Sequence, residues 1–315
     1  MSSKHLPDQY DVKRLSAENL TDLENLYTAV YEKQVAKGFY AKKYNTAFTG
    51  VEYTGFIAYS NSKPVAFYGA IPCFLKVNDE IILAAQAADA MTHPDHRNKG
   101  LFVELALTTL QLCRDLNIRL VFGFPNQNSS HGLISKLGWK VTDVMDCYIF
   151  NTGNLWWNRI LNKLPVLKNI TASYQKVVLK KYLVKQNGVN NSVFNDGYNG
   201  VYRDSDYFKY KTYNDTFTIT AAGSILWIKI STILLIGDIA INPDNFDDMI
   251  YELKELANKL RVKQIHFHTS PGTTLYSLFA MRFNSISSFQ VIFKVLGEDL
   301  PLDKIKFTSA DIDTF

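Results

Sequence analysis

Residues 87–100 are A-A-D-A-M-T-H-P-D-H-R-N-K-G, and the elements on either side are organised around this stretch. A run of small and apolar residues ends at a His-Pro pair, a polar turn with Arg97, Lys99 and Gly100 follows, and an apolar-periodic segment begins at Leu101. This order predicts a strand, a basic turn and a helix. Because a helix N-terminus offers free backbone N–H groups and partial positive charge, we expect the turn to bind a pyrophosphate.

The composition is that of an ordinary globular protein. The 315 residues are 47% hydrophobic and 20% charged, and the length suits one large domain or two of average size. The net charge of +4 is too small to indicate nucleic acid binding by itself, so no DNA partner is expected. The N-terminal residues lack the apolar core of a signal peptide, and no run of about 18 apolar residues predicts a membrane span, so we expect a soluble, cytoplasmic protein.

The three cysteines and the histidine spacings do not predict a metal site. Cys73, Cys113 and Cys147 are odd in number and show no CxxC spacing, which fits a reducing compartment. His93 and His96 have an HxxH spacing, but they lie on a polar turn without a third ligand. We therefore expect no bound metal.

Two parts of the chain share one predicted order of elements: three strands, a long helix, a strand, a short helix and a strand. Residues 118–139 and 262–283 align without gaps, so that strand, turn, helix and terminal aromatic fall in register. This pattern predicts an internal duplication. The second part has N-P-D-N-F at residues 242–246 where the first has its basic turn, so we expect only the first part to bind the anion.

The segment between the two parts is basic. Residues 151–190 contain seven Lys or Arg and no acid, with Trp156 and Trp157 at their start. We interpret it as a helical connection that packs on both halves; the alternative is an amphipathic segment that contacts an anionic membrane surface.

The first part resembles the GNAT superfamily of acyl-CoA-dependent acetyltransferases. The resemblance covers roughly residues 10–150, and it is carried by D-A-M-T-H-P at residues 89–94, R-N-K-G-L-F at 97–102, F-P-N at 124–126 and L-G-W at 137–139. Arg97 and Gly100 match the family's R/Q-x-x-G-x-G/A turn, whereas Phe102 replaces its last small residue. The whole chain then resembles a tandem GNAT protein with a degenerate second copy.

The resemblance implies acetyl-CoA as co-substrate and assigns most of its contacts to backbone groups. The turn and the start of the helix would bind the pyrophosphate, and the end of the preceding strand would pair with the pantetheine arm. A strand N–H would stabilise the oxyanion of acyl transfer. The implied cofactor-binding residues are Ala90, Met91, Thr92, Arg97, Asn98, Lys99, Gly100, Leu101, Phe102, Asn126 and Asn128.

Asp89 is the principal candidate for a catalytic side chain. It interrupts an apolar strand, where a carboxylate needs either a partner or a function. Some members of the family that the chain resembles have an acid here that binds or deprotonates the substrate amine. The alternative is a carboxylate that forms hydrogen bonds to a neighbouring loop.

The family's general acid, a Tyr in the short helix after the second strand, is missing, because the matching position is Ile134. Ser129, Ser130 or His131 are possible substitutes. Asn126 and Asn128 either bind the pantetheine or cap the helix that follows. His266 and His268 share one face of a later strand, where they face an acceptor pocket or lie in the core or on the surface.

We therefore predict an α/β protein of two tandem GNAT-like lobes, each a mixed, mostly antiparallel sheet flanked by helices. Residues 1–152 would form the acetyl-CoA-binding domain, 153–200 a basic helical linker and 201–315 the degenerate domain. The predicted reaction is direct acyl transfer to an amine of a small acceptor, such as an amino sugar or an amino acid. The alternatives are a non-catalytic binding module and a transferase that uses charged tRNA, with the basic linker as its contact.

Overall fold

The computed structural model describes residues 10–153 and 167–315, with no side-chain description for Asn128 or for residues 167–172. These residues group into two compact units, one of residues up to 143 together with 289–303, the other of 144–288 together with 304–315. The domain boundaries proposed from the sequence stay a prediction. Residues 154–166, with the two tryptophans of the basic segment, lie outside the description.

The first unit is a sheet with helices packed against it. Its strands are β1 (Asp11–Arg14), β2 (Gly55–Ser60), β3 (Lys63–Val77), β4 (Glu80–Thr92), β5 (Leu120–Gly123) and the second half of β12 (Ser285–Val295). Its helices are α1 (Leu20–Tyr31), α2 (Phe39–Lys43), α3 (Leu101–Asp115) and α4 (Gln127–His131), the last continued by one π-helical turn over Gly132–Lys136. Neighbouring strands are antiparallel except for the parallel pair β4–β5.

The core of the first unit follows from two sequence patterns. Residues 65–73 of β3 are buried without alternation, which shows that both faces of this central strand are covered. On α3, the residues that face the sheet recur at helical spacing, and Leu101, Leu105 and Leu110 are at most 2% exposed. Each such leucine stabilises the fold by about 1.5–3 kcal/mol. Burial of this face fixes the N-terminus of α3 beside the end of β4.

The second unit has the same kind of architecture. Its strands are the part of β6 (Lys140–Asn151) from Val144 on, β7 (Gly200–Val201), β8 (Thr216–Ala221), β9 (Ser224–Ile230), β10 (Leu234–Ala240) and β11 (Gln264–Thr269). Its helices are α5 (Leu167–Leu179), α6 (Ser205–Tyr210), α7 (Phe246–Lys259) and α8 (Thr274–Ala280). The pair β10–β11 is parallel, and the pairs β8–β9, β9–β10 and β11–β6 are antiparallel.

The fold class predicted from the sequence, a mixed and mostly antiparallel sheet flanked by helices, is confirmed in each unit. In each unit a parallel pair of strands is connected by a long helix, and the antiparallel strand beside it comes from the other half of the sequence: β12 pairs with β5, and β6 pairs with β11. That the two halves arose by duplication stays a prediction.

Candidate functional site

The end of β4 is bent by a β-bulge. Phe67 pairs with Met91 and Gly69 pairs with Ala88, so two residues of β4 lie opposite one residue of β3. Asp89, one of the two, has a φ of 54°, in the left-handed region. A bulge bends its strand and redirects the backbone that follows, and the residues up to Thr92 therefore leave the regular ladder.

Strands β4 and β5 separate at the same level. Their parallel register joins Ala84–Gln86 to Leu120–Phe122 and ends there. In the described part of the chain, no strand pairs with residues 87–92 on the side of β5. The backbone groups on that side are therefore available to a ligand that adds to the strand as an extended chain would.

The turn before α3 presents an uninterrupted series of backbone donors. Among the described residues, no protein acceptor bonds the N–H groups of residues 98–102, whereas the next two N–H groups both bond to the Gly100 carbonyl. Asn98 and Gly100 have φ values of 62° and 86°, which turn successive N–H groups to one side. Such a concave arrangement at a helix N-terminus binds phosphate groups.

Two cationic side chains belong to the same turn as these donors. Arg97 and Lys99 are both exposed, and Arg97 donates from Nε to the Thr92 carbonyl at 3.3 Å. This bond ties the turn to the end of β4. Nearby, burial and the charge of Lys99 lower the pKa of His96, whose Nδ1 is hydrogen-bonded to the Tyr10 hydroxyl at 3.0 Å.

Phe102, which replaces the small residue of the family's turn, packs inward. Its ring meets the Tyr68 ring edge-on at 5.7 Å, and it lies so close to Gly132 that a Cβ there would collide with it. The partly buried side chain therefore packs against the core, between β3 and the π-helical turn. This packing explains how the turn accommodates so large a residue.

Asp89 lies at the bulge in a dense polar cluster. Its Oδ2 is 2.8 Å from Lys43 Nζ and accepts from the Tyr44 hydroxyl at 2.9 Å, while Oδ1 accepts from Lys43 Nζ at 2.9 Å. The Lys43 side chain is 3% exposed and that of Asp89 16%. The carboxylate thus neutralises a buried ammonium and holds α2 against the bulge; a catalytic role stays a prediction.

Gly69 makes room for this cluster. A Cβ at Gly69 would collide with the Tyr44 hydroxyl and with the Phe67 ring. A residue with a side chain on β3, next to the bulge, would displace Tyr44 from Asp89. Lys43, Tyr44 and Gly69 were not identified from the sequence; the buried acid indicated that a partner exists but not which residue supplies it.

The residues proposed as general acids have other partners. Asn126 Oδ1 accepts from the Ser129 N–H at 3.1 Å and caps α4, and the Ser129 hydroxyl lies 3.3 Å from the same oxygen. Ser130 donates to Gln290 at 2.6 Å. His131 is exposed and bonds Ser135 on the next turn. The helix starts at Gln127, directly after Asn126, which caps it. The side chain of Asn128 lies outside the description.

In the second unit, the C-terminal segment occupies the place that corresponds to the gap between β4 and β5. Its β10 has a register shift at Gly237, three residues before the strand ends at Ala240, and the Phe315 ring lies where a Cβ of Gly237 would be. The parallel register of β10 and β11 ends at Ile236, and beyond it Thr269, the last residue of β11, forms an antiparallel bridge with Thr308. The N–H of Ser270 bonds to the Phe307 carbonyl at 2.9 Å.

The match to a known domain agrees with this geometry. Residues 11–142 match the family model of the acetyltransferase (GNAT) domain, and this part of the chain belongs to the GNAT family. The GNAT fold is that of acyl-CoA-dependent N-acyltransferases, so the chain has the architecture of an acyltransferase. No curated protein matched the sequence significantly.

Solved structures with the same fold extend over nearly the whole chain. Yeast (Saccharomyces cerevisiae) N-myristoyltransferase with bound myristoyl-CoA is similar at a TM-score of 0.59 and 12% identity, over 99% of this chain and 91% of that one. GCN5-related N-acetyltransferases from Anabaena variabilis and Kribbella flavida both match at a TM-score of 0.56, with 15% and 11% identity, over 91% of this chain and 73% and 71% of theirs. At these identities the likeness shows the fold alone.

Within the described ranges, no helix has the length and apolar character needed to cross a bilayer.

Proposed function

We propose that the chain is an N-acyltransferase that moves an acetyl or longer acyl group from coenzyme A to an amine of a small acceptor, such as an amino sugar or an amino acid. The observation that carries the proposal is the row of backbone donors at residues 98–102, placed directly after the bulged end of β4. The two features suit the two ends of one ligand: a pyrophosphate at the helix and an extended pantetheine arm beside the strand.

In the proposed reaction, the amine nitrogen attacks the thioester carbonyl. The N–C bond forms, the C–S bond breaks, the electron pair leaves with the coenzyme A sulfur, and the amine loses one proton. Backbone N–H groups at the bulge of β4 would stabilise the oxyanion. Asp89 is proposed to bind or deprotonate the amine, while Ser129 or His131 would return a proton to the thiolate.

The contacts of Asp89 favour a positioning role over a base. Both of its oxygens are engaged by Lys43, and one also accepts from Tyr44. A carboxylate that neutralises a buried ammonium loses that interaction when it takes a proton. Asp89 is also the bulge residue that has a left-handed backbone conformation. Bonds that fix its side chain therefore also hold the bulge in place.

A calorimetric titration tests the binding step. Acetyl-CoA and free coenzyme A are titrated into the wild type, into Gly100→Asp and into the matched control Gly50→Asp. Both glycines have a positive φ, 86° and 80°, and a Cβ added at either one would have no neighbouring atom within 4 Å, so both variants introduce the same backbone strain and the same charge. We expect at least about tenfold weaker binding for Gly100→Asp alone, because the new carboxylate faces the phosphates.

Two outcomes of that titration contradict the proposal: no binding by the wild type, or equal weakening in both variants. A transfer assay then measures release of the coenzyme A thiol with a panel of amines. Each amine is tested with acyl-CoA donors of increasing chain length, because the similar yeast enzyme was solved with myristoyl-CoA.

A non-catalytic coenzyme A-binding module is the second candidate. It is favoured by Ile134 at the position of the family's general acid and by the engagement of Ser129 and His131 in local hydrogen bonds. Binding without thiol release across the whole panel would support it. A tRNA-dependent transferase is the third, and binding of tRNA that is lost at high salt would support it.

A further inference from the structure

The second unit contains a group of soft metal ligands that the acyl-transfer proposal does not use. Cys147 on β6 lies directly opposite His268 on β11, and His266 precedes His268 by two residues on the same strand. Alternate residues of a strand share a face. The nearest ligand atoms of the three side chains all lie within 4.8 Å of one another.

This face of the sheet is the one away from the apolar core of the unit. On β11, Ile265 and Phe267 belong to that core and are fully buried, whereas the intervening histidines are half-buried. On β6, Tyr148 and Phe150 belong to the same core, so Cys147 points to the face of the histidines. The cluster is therefore a polar group on the side of the sheet away from that core, with a buried thiol and two half-buried histidines.

We propose that Cys147, His266 and His268 bind a zinc ion. The Cys147 sulfur is 3.6 Å from His268 Nε2. Ligands at about 2.3 Å for sulfur and about 2.0–2.1 Å for nitrogen in a tetrahedral site are separated by roughly 3.5 Å, so this pair already has the spacing of two ligands to one ion. Rotation of the His266 ring toward this pair brings in the third ligand, and a water completes the four positions.

Each histidine also has a neighbouring oxygen that orients its ring. His268 Nδ1 is 2.9 Å from the Ser288 hydroxyl, and His266 Nε2 is 3.3 Å from the Gln264 side-chain oxygen. When these nitrogens donate to those oxygens, the lone pair of the other nitrogen is directed to a ligand. Metal-binding histidines are oriented by second bonds of this kind.

Zinc binding is coupled to the protonation of its ligands. A neutral imidazole is the form that binds a metal, and zinc displaces the thiol proton on binding.

Cobalt(II) spectroscopy and zinc titration of the reduced, full-length protein test the proposal. We expect one zinc per chain, and with cobalt a thiolate-to-metal charge-transfer band. The band is expected to vanish in Cys147→Ser and to persist in Cys113→Ser, a matched control because Cys113 is a buried cysteine of the first unit. His266→Gln, at a half-buried position, weakens zinc binding without removing a core side chain.

Removing the oxygens that orient the histidine rings is expected to weaken zinc binding less than removing a ligand does. We expect Ser288→Ala and Gln264→Leu to weaken zinc binding about 10–100-fold and less than His268→Ala does. Absence of the charge-transfer band in the wild type overturns the proposal. So does zinc binding that survives in Cys147→Ser but is lost in His96→Ala, because the ion is then bound at the turn of the first unit.

Discussion

Lys43 Nζ lies 2.8 Å from Asp89 Oδ2, in a buried ion pair that ties α2 to the bulge of β4. The sequence places an acid in an apolar strand, and the structure shows that a lysine 46 positions earlier neutralises it. Lys43 is the more buried of the two residues. The ion pair therefore stabilises the bulge, and through the bulge it affects the ligand site.

We expect Lys43→Met to lower the free energy of unfolding by about 2–3 kcal/mol. It leaves a largely buried carboxylate without its cation, which costs about 3–5 kcal/mol for a fully buried pair and less here because Asp89 keeps some solvent contact. Urea denaturation measures the change. Lys42→Met is the matched control, because Lys42 is exposed on the same helix, and an equal loss there would contradict the prediction.

The same pair separates positioning from catalysis. If Asp89 only anchors the bulge, Asp89→Asn and Lys43→Met lower kcat/KM by similar factors, the double variant is no worse than either, and the pH–rate profile keeps its shape. If Asp89 is the base, Asp89→Asn alone removes the acidic limb of that profile. The profile with a working acceptor decides between these two results.

Gly69→Ala is expected to destabilise the first unit by about 1–3 kcal/mol, because the new methyl group collides with the Tyr44 hydroxyl and the Phe67 ring. Thermal and urea unfolding measure the loss. Gly123→Ala is the control: its Cβ would meet Ala87 at 3.5 Å, an ordinary contact. Adding Tyr44→Phe to Gly69→Ala should restore part of the stability, and no restoration at all would refute the steric explanation.

Lys211 should make the stability of the second unit depend on pH. Burial lowers the pKa of its ammonium to about 7, against a usual value of 10.5, although Asp313 and Asp311 act in the opposite direction. Between those values the unfolded chain binds a proton that the folded chain does not. The free energy of unfolding therefore rises with pH over this window, by at most about 1.4 kcal/mol per unit, and is independent of this group below pH 7.

Lys211→Met is expected to remove this pH dependence. Urea denaturation at several pH values from about 7 to 10 compares it with the wild type and with Lys209→Met, an exposed neighbour. Identical slopes for the wild type and Lys211→Met would show that Lys211 is charged in the folded state.

Phe315→Ala is expected to lower the free energy of unfolding by about 3–5 kcal/mol, since the ring is fully buried against Gly237 and Trp227. Tyr251→Ala, at a 67% exposed aromatic of α7, should change it by about 0.5 kcal/mol or less. The same denaturation measurement serves both, and equal effects would contradict the role given to Phe315.

Local patterns predicted the elements well. The strand ending at Thr92, the turn at residues 97–100 and the helix from Leu101 follow from hydrophobic period and turn chemistry, which act over a few residues. For Asn126 the sequence left two roles open, a pantetheine contact or a helix cap, and the structure shows that it caps α4.

Contacts between distant residues were not predictable in the same way. The bulge at Asp89, its pairing with Lys43 and the space provided by Gly69 each depend on which strand lies opposite which. The segment 305–315, polar in sequence, places Phe307 and Phe315 in the core of the second unit. The Cys147–His268 pair joins residues 121 positions apart, so no spacing in the sequence could indicate it.

The sequence alone determined the alternation of strands and helices, the basic turn before α3 and the resemblance to GNAT acyltransferases, because periodicity, charge and turn residues act locally. The tertiary structure decided that Asp89 is bound to a buried lysine, that Phe102 packs inward and that β4 and β5 separate beside the turn. Those relationships arise when strands and helices distant in the chain pack together, and only packing selects the partners of a buried charge or the register of a bulge.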